Sequence, residues 1–307
     1  MTLHINTPLI ESRPLSEAAN SNVHLKLDAM QPCGSFKLRG VGHACEVYRA
    51  SGARRFVSSS GGNAGLAVAY AGRSLNVPVV VVVPQTTTER AKELLHLESA
   101  QVIVHGSSWQ EANDFAKTLM GQDDAFIHPF DEPLLWTGHA TLIDEVAASG
   151  NKPDVVVLSV GGGGLLSGVV EGLQRNGWND VPVIAVETQG AASFHAATLA
   201  GKAVEIEKIT SVATSLGAKR VCDQAVECWR RHPIESLVVA DQQALEACNR
   251  FLFDHRILVE PACGAALAAA YHGDLLSRFE RSLVIVCGGA TASHDQIKLW
   301  LQKQLEQ

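Results

Sequence analysis

The chain has 307 residues, 46% hydrophobic and 19% charged, with a formal net charge of −7. That composition excludes a disordered or collagen-like chain, and its acidity speaks against nucleic acid, which would want a basic face. No apolar run is long enough to cross a bilayer, no secretory leader is visible between Met1 and Pro14, and seven scattered cysteines without a CxxC pair fit reduced thiols in a cytoplasmic protein.

Along the chain, short β-branched runs alternate with helix-length stretches. Strands are predicted at His24–Asp28, Arg55–Ser58, Val79–Val83, Gln101–His105, Val155–Val160, Val183–Glu187, Leu237–Ala240 and Leu283–Cys287. Helices are predicted at Ala64–Leu75, Thr88–Leu97, Trp109–Met120, Leu165–Asn176 and Ala244–Asp254. This rhythm implies an α/β fold with mostly parallel sheets and ligands at the carboxyl ends of the strands. A domain crossing is placed near Phe130–Pro133, and Asp123-Asp124 reads as a solvated turn.

Four strand ends carry unusual residues. The first strand leads into Ser35-Phe36-Lys37-Leu38-Arg39-Gly40, and the second runs into Ser59-Ser60-Gly61-Gly62-Asn63-Ala64-Gly65. Four glycines, Gly161, Gly162, Gly163 and Gly164, follow Val155–Val160, and Cys287-Gly288-Gly289 closes the last strand. Glycines between a strand and a helix expose backbone N–H groups at the positive end of a helix, an arrangement that binds phosphate. Alone, such a run is equally a mobile turn. The G-x-G-x-x-G spacing fails, because Leu166 or Ser167 stands at the sixth position, and no Walker G-K-[ST] is present. A phosphorylated cofactor held by backbone groups remains. Lys37 offers an amine that can form a Schiff base when neutral, although a lone lysine is ordinarily a surface charge. The Asn63 loop can bind a carboxylate, or it can be a simple turn and cap.

Taken together, S-F-K-L-R-G at Ser35–Gly40, S-G-G-N-A-G at Ser60–Gly65 and V-G-G-G-G-L at Val160–Leu165 resemble the serine dehydratase and serine/threonine ammonia-lyase family of fold-type II pyridoxal 5′-phosphate (PLP) enzymes. Four more strings are similar to its short eukaryotic-type members: His195–Thr198, Lys208–Ala213, Ile257–Ala266 and Val284–Gly289. The resemblance implies a large PLP-binding domain of residues 1–37 and 132–307 and a small domain of residues 38–131. It implies that Lys37 carries the cofactor and then serves as base, while Gly161–Leu165 hold the phosphate. Phe36 is expected to flank the ring and Asn63 to bond its 3-hydroxyl. Ser60, Gly61, Asn63 and Ala64 are expected to bind the substrate carboxylate, and Cys287 to lie beside the pyridine nitrogen.

A thiol there leaves the ring a weaker electron sink than a carboxylate would, which favours β-elimination. Gly61 lacks the serine that related racemases carry, so little racemisation is expected. A potassium site is implied at the carbonyls of Gly161, Ala191, Leu216 and Ala218 with the Glu187 carboxylate. His128, His139 and His195 lack metal-ligand spacing. A homodimer acting on a small amino acid, without a feedback domain, completes the expectation. β-Replacement, threonine synthesis and a silent PLP-binding protein are the competing readings.

Overall fold

A computed structural model describes residues 2–272 and 274–305. Its strands are β1 (Leu9–Glu11), β2 (Asn22–Lys26), β3 (Arg55–Ser58), β4 (Val79–Val83), β5 (Gln101–Val104), β6 (Asp124–Phe126), β7 (Val155–Ser159), β8 (Val183–Thr188), β9 (Ile234–Val239) and β10 (Arg281–Ile285). The helices are α1 (Arg13–Ala19), α2 (Lys37–Ala50), α3 (Asn63–Leu75), α4 (Glu89–Leu97), α5 (Trp109–Thr118), α6 (Pro133–Ala148), α7 (Gly164–Arg175), α8 (Ser193–Ala200), α9 (Asp223–Arg231), α10 (Asp241–His255), α11 (Pro261–Tyr271) and α12 (His294–Leu305).

Two sheets result, a six-stranded one ordered β1-β2-β10-β7-β8-β9 and a four-stranded one ordered β5-β4-β3-β6. All pairings are parallel except β1 with β2. β4 and β7 are buried along their whole length, as parallel strands covered on both faces must be, which explains their unbroken apolar character.

Each sheet reverses its winding once. In the larger sheet the chain winds outward through β7, β8 and β9, then returns to place β10 on the other side of β7. In the smaller sheet it winds from β3 through β4 to β5, then returns to place β6 beside β3. Such switch points open a crevice at the carboxyl ends of the strands. The loops beside them are those predicted to carry chemistry: the glycine run after β7, Cys287 after β10, and Ser59–Gly62 after β3.

Several sequence expectations need correction. β1 and β6, each three residues long, lie outside the predicted strands. Asp124 is no solvated turn: it opens β6 and is ion-paired with Arg55, with only 9% of its side chain exposed. β9 begins at Ile234, three residues before the predicted start; Glu235 and Ser236 hid it, since an edge strand tolerates polar side chains. β2 and β10 each end two residues early, and β5, β7 and β8 shift by one residue at their ends.

The segment from Ser35 to Gly40 is mostly helical, because α2 begins at Lys37 itself. A buried charge network fixes that helix. Arg39, fully buried, donates to Asp28 at 2.7 and 2.9 Å and to Glu145 at 2.7 and 2.8 Å. Glu145 also meets the buried amine of Lys26 at 2.5 Å. α2 is thereby locked against β2 and α6, two residues from Lys37.

Candidate active site

The glycine run is shaped by what packs behind it. Gly163 caps α7 with φ +94°, a left-handed conformation open to glycine. A Cβ on Gly162 would lie 2.2 Å from the Phe130 ring, and one on Gly163 would lie 2.6 Å from Ala225 Cβ. The first N–H groups of a helix have no partner within it. Among the described residues, none of the amides from Gly161 to Leu165 meets a protein acceptor. The result is a set of free donors at a helix N-terminus, backed by close packing.

Lys37 reaches the same neighbourhood. Its Nζ donates to the carbonyl of Pro129 at 2.6 Å, next to the phenylalanine that backs Gly162. Burial lowers its pKa from 10.5 to about 8, with charges on Cys287, Glu260 and Cys222 opposing. Cys222 is pushed up to about 11 and Cys287 well above its ordinary value, so both thiols stay protonated near neutrality and oppose little. The lysine also sits in the first turn of a helix, where the dipole disfavours a cation.

Phe36 sets the neighbouring geometry. Its N–H donates to the Cys287 carbonyl at 3.0 Å, so the lysine segment and the end of β10 are stitched together. The Lys37 amine lies 5.1 Å from the centre of the Phe36 ring. The His139 ring stands 4.9 Å from the Phe36 ring, tilted to it, fully buried and with its Nε2 unpartnered among the described residues. His139 Nδ1 accepts from the Gly40 N–H at 3.2 Å, which makes it a neutral brace beneath α2. His128 accepts two backbone N–H groups on its Nδ1, and burial lowers its pKa to about 4.

The loop after β3 brings Ser60, Gly61, Asn63 and Ala64 to the start of α3. Ser60 Oγ accepts from the Gly62 N–H at 3.3 Å, and a Cβ on Gly65 would collide with the Ser60 carbonyl at 1.7 Å. Asn63 accepts from the Ala290 N–H at 3.1 Å and donates through Nδ2 to Glu260 at 2.6 Å. Glu260 went unassigned in the sequence although it lies within the Ile257–Ala266 string. A glutamate before a proline reads as an ordinary helix start, and only the tertiary contact with Asn63 marks it. Cys287 is buried at the end of β10 against Cys263, and that contact is the first cause of its raised pKa, ahead of burial.

A family described as pyridoxal-phosphate dependent enzyme matches residues 1–288. A human protein named L-serine dehydratase/L-threonine deaminase is 50% identical, covering 99% of this chain and 96% of its own. This chain belongs to the pyridoxal-phosphate dependent enzymes, within their serine dehydratase and ammonia-lyase family. An L-serine dehydratase of Dictyostelium discoideum is 45% identical over 98% of this chain and 92% of its own. The crystal structure of a fungal L-serine ammonia-lyase from Rhizomucor miehei superposes with a TM-score of 0.94 at 36% identity, covering 99% of both chains. A maize serine racemase shares the fold at a TM-score of 0.89 and 22% identity.

The residues present fit the family's cofactor. A phosphate needs free N–H donors that no side chain obstructs, and the glycine run supplies them; an aldehyde needs an amine that can lose its proton, and Lys37 supplies that. Of the residues expected to hold a cation, Gly161, Leu216 and Ala218 lie close together. A Cβ on Gly161 would lie 3.0 Å from Leu216 Cα, and Ala218 is bonded through its N–H to the Leu216 carbonyl at 2.8 Å. Ala191 and Glu187 are fully buried. Glu187 accepts from the N–H groups of Phe194 and His195 at 2.8 and 2.7 Å, and burial still raises its pKa to about 7. His195 thus helps hold Glu187 through its backbone, while its ring meets Ser236 at 3.0 Å.

Proposed function

We propose that this protein is a PLP-dependent dehydratase that eliminates water from L-serine, L-threonine or both, releasing pyruvate or 2-oxobutanoate and ammonia. One observation carries the reading. A lysine amine with pKa lowered to about 8 is linked through the Pro129–Phe130 segment to the glycine cradle, and its neighbour Phe36 is bonded to the Cys287 backbone. The activity named for relatives at 45–50% identity over nearly the whole chain supports the same assignment.

When bound, the cofactor supplies an electron sink for the charge left on the substrate α-carbon. The Lys37 amine, with a neutral fraction available near pH 8, takes the α-proton. The free N–H groups of Gly161–Leu165 would hold the phosphate. Ser60 and the backbone of Gly61, Asn63 and Ala64 hold the substrate carboxylate at the start of α3, where the dipole favours an anion. Asn63 would bond the ring 3-oxygen and Phe36 would flank the ring. Cys287, held neutral by Cys263 and burial, would stand beside the ring nitrogen and withhold the charge a carboxylate would provide, which would favour loss of the β-hydroxyl. Gly61 presents no side chain that can protonate the opposite face, so racemisation is minor.

Potassium at Glu187, Gly161, Ala191, Leu216 and Ala218 would brace the glycine loop from behind. The division into residues 1–37 with 132–307 and residues 38–131, supported by the two separate sheets, puts the Asn63 loop on the smaller domain. We further assign a cytoplasmic homodimer. Purified protein should show a visible absorption band near that of a lysine-bound PLP and release 2-oxo acid on adding L-serine or L-threonine. Absence of the band refutes the cofactor assignment; a band without 2-oxo acid points to β-replacement or another reaction of the fold.

A further inference from the structure

We propose that Glu260 is a positioning residue for the cofactor, acting through Asn63; this rests on the reading that Asn63 touches the ring 3-oxygen. An asparagine amide has two N–H donors and one acceptor oxygen, and its two ends are easily exchanged by a flip. Here both ends are fixed. Glu260 Oε1 takes one Nδ2 hydrogen at 2.6 Å, and the Ala290 N–H occupies Oδ1 at 3.1 Å. A flip would set oxygen against carboxylate and N–H against N–H. The second Nδ2 hydrogen is then the one remaining donor of the side chain, and its direction is dictated by Glu260.

Glu260 is itself held rigidly. Its residue is 4% exposed, and its Oε2 accepts from Thr291 at 2.8 Å. A Cβ on Gly289 would lie 2.0 Å from its Cδ, so the left-handed glycine at φ +127° leaves the space the carboxylate fills. Burial raises its pKa, opposed by bonds from Ser215, Thr291 and Asn63 and by the Lys37 charge. Asn63 opens the helix after β3 in the smaller sheet, whereas Glu260 precedes α11 against the larger one. The bond between them therefore spans the two halves of the site and presets the ring contact before any ligand arrives.

The test is a double-mutant cycle read as PLP dissociation constants, titrated on apo-protein by fluorescence. Asn63→Ala should weaken PLP about 10- to 30-fold, the scale of one hydrogen bond to a charged or strongly polar group. Glu260→Ala should weaken it by about 5- to 10-fold, and the double variant should fall within about twofold of Asn63→Ala alone, because coupled residues do not add. Glu260→Gln keeps an acceptor in place and should stay within about threefold of the parent.

Two results overturn the proposal: a double variant whose loss is the product of the single losses, or an unchanged dissociation constant in Glu260→Ala. Should Glu260→Ala fail to fold, Glu260→Gln decides the matter, since a loss there as large as that of Asn63→Ala means charge rather than positioning. An unchanged dissociation constant in Asn63→Ala removes the ring contact itself, whatever Glu260 does, and so refutes the underlying reading separately.

Discussion

The loops after β7 and β3 occupy equivalent places, each leaving a strand beside a switch point and each opening a helix, yet they are made differently. The β7 loop is backbone alone: glycines with free N–H groups, held by Phe130 and Ala225 pressing from behind. The β3 loop depends on a side chain, Asn63, whose orientation is set by partners from the other sheet. The first kind of loop suits a phosphate, which needs only donors and proximity. The second suits a directional contact to one ring oxygen, and its accuracy is borrowed from Glu260 and Ala290. The larger sheet is thus the fixed half of the site and the smaller sheet the adjusted half.

That contrast can be broken most severely at its anchor. Arg39→Met removes the cation shared by Asp28 and Glu145, in a place where both Arg39 and Asp28 are fully buried. A loss of about 3–5 kcal/mol is expected, because a buried charge left without its partner cannot recover its hydration; chemical denaturation of the apo-protein measures it. Gly162→Ala attacks the backbone-built loop through its 2.2 Å approach to Phe130. It should cost about 1–3 kcal/mol of stability by overpacking and weaken PLP binding, and Phe130→Ala in the same chain should recover part of the stability. An unchanged melting temperature in Gly162→Ala would mean that the loop is not held from behind.

The amine offers a test of electrostatics. Its pKa in the fold, about 8, lies below the ordinary 10.5. Protonation therefore opposes the folded apo-protein, and the stability tied to the neutral amine is fully present above 10.5 and lost as pH falls through about 8. The rate at which Lys37 captures added PLP should rise about tenfold per pH unit below that value and level off above it, following the neutral fraction. Stopped-flow absorbance reads this directly, and a rise continuing toward pH 10 would show a lysine not depressed by burial.

The smallest effect belongs to the adjusted half. A methyl on Gly61 would lie 2.9 Å from Thr87 Cγ2 and 3.1 Å from Val83 Cγ1. Gly61→Ala should narrow the pocket and raise serine turnover, at a stability cost under about 1 kcal/mol. Thr87→Ser, which deletes the closer methyl, should remove most of that cost. Lower turnover in Gly61→Ala would show that the substrate loop needs the open space.

Much of this was legible beforehand, for identifiable reasons. β3 and β4 were bounded correctly because Gly, Pro and β-branched runs punctuate them sharply. The shorter β1 and β6 escaped because three residues show no periodicity. No helix was predicted at Lys37, since no capping residue precedes α2, whose N-terminal neighbour Phe36 makes no side-chain cap. Asp124 looked solvated because its partner Arg55 is 69 residues away.

By itself the sequence determined the βα rhythm, the parallel sheets and the place of the glycine run between a strand and a helix, because buried strands and glycine turns are enforced by local sterics and hydrophobicity. It also singled out Lys37, Asn63 and Cys287 as groups worth placing together. Only the tertiary structure decided that Lys37 opens a helix, that burial lowers its pKa, and that Glu260 accepts a hydrogen bond from Asn63. Those properties arise from desolvation and from hydrogen bonds between residues as far apart as Asn63 and Glu260, separated by 197 positions, and no local pattern encodes them.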